Sequence, residues 1–127
     1  MYVSMDLVKR AKRKAVINSC KYHVAAICFG KMMGSHRRGS RTSEFLGITT
    51  NEHRLLKKGG TIHAEIAALI DFNSRLEDVV LVRVNDNGKL CPIHPCKLCY
   101  DVLTQHFVRI WAVMPIDDEN YTVIRCN

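Results

Sequence analysis

Aromatic residues are scarce in this chain: one tryptophan, four tyrosines and four phenylalanines make up 7% of 127 residues. Proteins that grip single-stranded nucleic acid usually interleave stacking rings with basic side chains. Here Phe45 is the lone aromatic between Gly34 and Gly60, the most basic stretch. Long apolar runs are missing too, and nothing approaches the roughly 18 residues of a membrane-spanning helix. The opening segment, Met1 to Lys14, carries Lys9, Arg10, Lys12, Arg13 and Lys14 but no apolar stretch of the secretory type, so a cytoplasmic protein without membrane partners is expected. Acidic residues are few in the first half, with 3 against 13 lysines and arginines up to Gly60, whereas 9 face 6 from Thr61 onward. The net charge of +7 therefore comes from the first half, which should attract phosphate on a free nucleotide or along a polynucleotide. The sparse aromatics favour the free nucleotide.

What is present fits one domain over 1–127, with its core over about 20–115. Apolar residues reach 47% and charged residues 24%, an ordinary globular balance. Ser4 can cap a helix whose apolar positions Leu7, Val8, Ala11, Ala15 and Val16 recur at helical spacing. Tyr22 to Phe29 reads as a strand, and Gly30-Lys31 followed by Met32-Met33 suggests a hairpin into a second one. Gly34 to Gly60 reads as a long loop, with Asn51 to Lys57 as a short helix within it. His63 begins a strong helix former that should stop near Asn73, and Val79 to Val84 is a buried strand. Cys96 to Gln105 is helical by the spacing of Leu98, Val102 and Leu103; Val108 to Val113 and Tyr121 to Cys126 read as the last strands. The order ββαβαβ after a first helix points to an α/β fold with a mixed or partly parallel sheet covered by helices.

Six cysteines in a chain of this kind are better used as metal or catalytic thiolates than as disulfides. Cys91, Cys96 and Cys99 cluster, while Cys20, Cys28 and Cys126 read as small hydrophobes. Catalytic zinc takes three protein ligands and leaves its fourth tetrahedral position open. His63, Cys96 and Cys99 supply such a set, since two cysteines three apart at a helix start share a face and the helix dipole favours their thiolate forms. Glu65, two residues from His63, can reach the open position as a proton carrier without being a ligand.

His63-Ala64-Glu65 followed by Pro95-Cys96-Lys97-Leu98-Cys99 resembles the signature of the zinc-dependent cytidine/deoxycytidylate deaminase superfamily, and especially its small bacterial and viral members. The resemblance runs over roughly Tyr22 to Val113. It implies a three-layer α/β/α sandwich with a mixed five-stranded sheet and the two motif helices side by side beneath the active site. It also implies one zinc ion per chain on His63, Cys96 and Cys99, Glu65 as the catalytic proton carrier, and the backbone N–H of Ala64 as a contact to the base. A cytosine nucleotide or nucleoside is the implied substrate, and relatives commonly form homo-oligomers. Many relatives carry Gly-x-Asn after the second strand, the Asn touching the sugar; Gly34-Ser35-His36 occupies the comparable place on this reading. His36 and Arg41 belong to the basic loop that could reach the pocket mouth and hold a phosphate.

Two rival readings differ in class. One is a deaminase of cytosine or adenine in single-stranded DNA or RNA, with the basic first half tracking the strand. The other is a non-catalytic module stabilised by zinc, in which Cys91 or His94 closes the coordination as a fourth ligand. Trp111, between Ile110 and Ala112, reads as a core or interface residue. His23 and His106 read as ordinary strand and helix-end residues.

Overall fold

Helix α1 (Met5–Ile17) starts where the Ser4 hydroxyl accepts the Leu7 N–H at 3.2 Å, the capping bond its sequence offers. It buries Val8, Ala11 and Ala15 on one side and leaves Lys9, Arg13 and Lys14 exposed on the other. The computed structural model describes residues 1–17, 23–31, 43–53 and 61–127. After α1 come strands β1 (His23–Gly30), β2 (Glu44–Thr50), β3 (Glu52–His53) and β4 (Thr61–Ile62), then helix α2 (Ala64–Phe72). A single 3-10 turn, Asn73–Arg75, leads to β5 (Leu76–Val84). The rest of the chain supplies β6 (Leu90–Cys91), α3 (Lys97–Gln105), β7 (Arg109–Pro115) and β8 (Tyr121–Arg125).

The main sheet has the order β2-β1-β5-β7-β8, and two-residue β6 adds to the end of β5. β5 and β7 run parallel, and the other pairs along this path are antiparallel. The sheet is therefore mixed, with the five expected strands and β6 as a short extra. β3 and β4 form a separate antiparallel ribbon.

Strand alternation divides the apolar residues between two faces. Ala25, Ile27, Val80, Val82, Val84 and Val113 pack under Val8, Ala11 and Ala15 of α1. Ala26, Cys28, Val79, Leu81, Ile110 and Ala112 pack against Ala64 and Ala68 of α2 and Leu103 of α3. Each fully buried Val, Leu or Ile side chain contributes about 1.5–3 kcal/mol of transfer free energy. Two filled faces make the three-layer α/β/α sandwich that the resemblance implied.

The second strand is not where the hairpin reading puts it. β1 runs on through Gly30, and its partner is Glu44–Thr50, inside the stretch read as loop. Met32 and Met33 lie outside the described residues. Gly30 marks a close approach rather than a turn: a Cβ there would sit 1.8 Å from the Arg75 carbonyl oxygen, which also accepts the Lys31 N–H at 2.9 Å. Gly47 interrupts the apolar pattern of β2 for a similar reason, since its Cβ would meet the Phe72 ring at 2.9 Å. The helix expected from Asn51 begins instead with strand β3, Glu52–His53, and its remainder lies outside the described residues.

Chain order then fixes the site end of the sheet. α2 passes through one turn into the start of β5, and α3 passes through His106 to Val108 into the start of parallel β7. Both helices therefore run back along their strands, and both begin at the carboxyl end of the β5–β7 pair, where open α/β sheets bind ligands.

Candidate metal centre

His63 and Cys96 are the N-cap residues of α2 and α3, with nearly equal backbone angles: φ −68°, ψ 152° and φ −65°, ψ 159°. Neither cap position is helical, so each side chain projects from the mouth of its helix. The His63 imidazole makes no capping bond. Its Nδ1 lies 3.5 Å from Cys96 Sγ and 3.4 Å from Cys99 Sγ. The three ligand atoms lie within 4.8 Å of one another, with His63 and Cys96 exposed and Cys99 buried. Tetrahedral zinc, with Zn–S of about 2.3 Å and Zn–N of about 2.0–2.1 Å, holds a sulfur and a nitrogen about 3.5 Å apart. Both nitrogen–sulfur spacings thus fit the ion.

Electrostatics favours a cation here. Both helix dipoles aim their positive ends at the sulfurs, and the Cys99 N–H donates to Cys96 Sγ at 3.5 Å; both favour the thiolate forms that a cation would bind. Glu65, in the first turn of α2, is only 4% exposed. Burial pushes the Cys99 thiol well up, and the charge of Glu65 pushes it further. Two thiols and a buried carboxylate are a poor arrangement for ionised sulfur unless a dication joins them.

Among the described residues, the group able to hold a metal has three ligands. The Cys91 thiol donates instead to the Lys89 carbonyl at 3.6 Å, and His94 is exposed and does not join the group. The fourth ligand that a closed structural site needs is thus not supplied by either residue named for it. His36 and Arg41 lie outside the described residues. Cys28 is buried as a small core residue, its thiol pushed up to about 12 by burial. His23 Nε2 lies in hydrogen-bond contact with Asp86 Oδ1 at 3.0 Å, and the His106 ring meets the Val102 carbonyl at 2.8 Å.

Asn51 is the residue the sequence reading passed over. With the second strand at Glu44–Thr50, the residue immediately after it is Asn51, whereas Gly34-Ser35-His36 lies outside the described residues. It is 6% exposed, its side-chain oxygen accepts the Val24 N–H at 3.2 Å, and its own N–H donates to the Val24 carbonyl at 3.3 Å. Since Glu52 pairs with Ile62, the antiparallel register brings Asn51 and His63 next to each other at the end of that ladder. Locating the strand correctly across Gly47 would have revealed it.

Fold and site together define a three-layer α/β protein in which His63, Cys96 and Cys99 form a group that could hold a metal ion, with the buried carboxylate of Glu65 two residues from His63. No protein-family model matches the chain, and no curated protein matches it. Among solved structures it is similar to the crystal structure of cytidine deaminase from Mycobacterium leprae, with a TM-score of 0.49 and 18% identity, over 96% of this chain and 94% of that one.

Proposed function

We propose that this chain is a zinc-dependent hydrolytic deaminase that converts a cytosine nucleotide or nucleoside to its uracil form with release of ammonia. The convergence of His63, Cys96 and Cys99 at two helix starts, with buried Glu65 in the first turn of the helix that His63 caps, carries the reading. The likeness of His63-Ala64-Glu65 and Pro95-Cys96-Lys97-Leu98-Cys99 to the deaminase signature supports it. A zinc ion on this donor set supplies a Lewis acid that makes water nucleophilic near neutral pH. With the ion bound, Glu65 would take one proton from the attacking water and pass it to ring N3 as C4–O forms, then carry the remaining hydroxyl proton to the amine, so that C4–N breaks, ammonia leaves and C4 becomes a carbonyl. Ala64 is the first residue of α2, so its backbone N–H has no intrahelical acceptor, and by the resemblance to the deaminase signature it would hold the base. His36 and Arg41 are proposed to hold the phosphate.

A free nucleotide is favoured over a polynucleotide because the basic helix α1 covers the sheet face opposite to α2 and α3. The test is an ammonia-release screen over cytidine, deoxycytidine, their mono- and triphosphates, and a cytosine-containing oligonucleotide. One monomeric cytosine compound should be turned over, and Glu65→Gln should lower kcat by about 10²–10⁴-fold with zinc retained. Turnover of the oligonucleotide alone would favour the polynucleotide enzyme. Zinc uptake with no ammonia from any compound would leave the metal-stabilised module.

A further inference from the structure

We infer that Thr49 is a positioning residue for the metal centre, holding the start of α2 so that His63 meets the two sulfurs. This rests on the metal-site part of the reading above, not on the identity of the substrate. Thr49 lies on β2 opposite Ala26 of β1 and is 6% exposed. Its hydroxyl donates to the Ala64 carbonyl at 2.9 Å. That carbonyl belongs to the rigid peptide plane joining Ala64 to Glu65, so the bond holds the Cα atoms of Ala64, which follows His63, and of Glu65, which bears the carboxylate side chain.

Satisfying a carbonyl is not an adequate reason for the bond. The oxygen of a first helical residue already accepts the N–H four residues on, here that of Ala68. What Thr49 adds is direction. Gly47, two residues earlier and on the same face of β2, lets the Phe72 ring close on the strand at the far end of α2. An apolar ring contact resists separation but not rolling of the helix about its axis. The Thr49 bond at the near end resists the roll.

The magnitude shows why this matters. A side-chain atom about 5 Å from a helix axis moves about 0.9 Å when the helix rolls by about 10°. Metal–ligand distances tolerate about 0.2 Å. A small roll of α2 would therefore take His63 Nδ1 out of reach of an ion that α3 holds through Cys96 and Cys99. Cys28 Sγ, 3.9 Å from Thr49 Oγ1, is the more distant partner of the hydroxyl, whose 2.9 Å bond to the Ala64 carbonyl is a full ångström shorter.

The experiment compares wild type, Thr49→Val, which keeps the shape and loses the hydroxyl, and Thr49→Ser, which keeps the hydroxyl. Cobalt(II) affinity is read by competition with a chromophoric chelator, and ligand geometry from the cobalt absorption bands. Thr49→Val should bind cobalt about ten-fold more weakly with altered ligand-field bands, and Thr49→Ser should restore both. Circular dichroism and thermal unfolding establish that each variant is folded. A folded Thr49→Val with wild-type affinity and spectrum overturns the inference, as does Thr49→Ser failing as far as Val. Wild type that takes up cobalt but releases no ammonia overturns only the deaminase reading, because the cobalt comparison still decides on Thr49.

Discussion

Replacing Asp78 by Asn tests the polar staple on the α1 side of the sheet, at the end remote from the metal centre. Asp78 is 1% exposed and accepts four hydrogen bonds: Arg109 Nε at 2.7 Å and Trp111 Nε1 at 2.9 Å on Oδ1, Arg109 Nη2 at 2.7 Å and Ser43 Oγ at 2.8 Å on Oδ2. An asparagine has one acceptor oxygen. Turned either way, it loses one arginine bond and one neutral bond and sets its amide hydrogens against donors. Bonds to charged groups contribute about 1.5–3 kcal/mol each, and discounting for the half-exposed Arg109 leaves a cost of about 3 kcal/mol at pH 7. Burial raises the Asp78 pKa, but the bonds from Arg109, Trp111 and Ser43 outweigh it and hold the carboxyl below its usual range. A depressed folded pKa means that this stabilisation is complete above the unfolded value of about 3.9 and is lost as pH falls through the folded one. The gap between wild type and Asp78→Asn should therefore narrow from pH 7 to pH 2. Urea unfolding followed by fluorescence of Trp111, the single tryptophan, measures both. A cost under about 0.5 kcal/mol, or a gap that does not change with acid, would refute the reasoning.

Two further outcomes follow from the site and from the turn after α3. Removing zinc with a chelator should lower the unfolding temperature, and zinc at about 1,000 times its Kd should add about 4 kcal/mol of stability; calorimetry with and without zinc, on wild type and Cys96→Ala, checks this, and an unshifted wild type counts against the metal centre. Phe107 is 93% exposed at φ 60°, the left-handed position of a helix C-terminal motif in which the Val108 N–H bonds the Leu103 carbonyl and the Phe107 N–H bonds the Thr104 carbonyl. Phe107→Gly should stabilise by about 0.5–1 kcal/mol, and a loss of stability in urea titration would show that the exposed ring has a partner.

The parts legible from sequence are those whose causes are local. Ser4 caps α1, the apolar stripe of α1 is buried where its spacing says, and Asn73 ends α2 within a residue of expectation. His63, Cys96 and Cys99 could be singled out because donor chemistry and helix-start spacing are written in short segments. β2 was illegible because its glycine answers to a side chain 25 positions away: Gly47 makes room for Phe72, and from the sequence it looks like loop. The same holds for Gly30, whose missing side chain answers to the Arg75 carbonyl. Misplacing β2 hid Asn51 and Thr49, since both depend on where that strand ends.

The metal group also needs a feature that no short motif contains. His63 and Cys96 are 33 residues apart, and each is fixed only at its own helix start. They meet because β5 and β7 are parallel, with Asp78 to Leu81 aligned beside Arg109 to Ala112. A helix that leads directly into a strand must run antiparallel to it, so parallel strands place both helix starts at one end of the sheet. Had β7 paired antiparallel, α3 would begin at the opposite end, and Cys96 would lie a strand length from His63 with every local signal unchanged. The Asp78 carboxylate links Arg109 and Trp111 of β7 to β5, so it holds that parallel register. A residue remote from the metal group thus maintains the alignment on which the group depends.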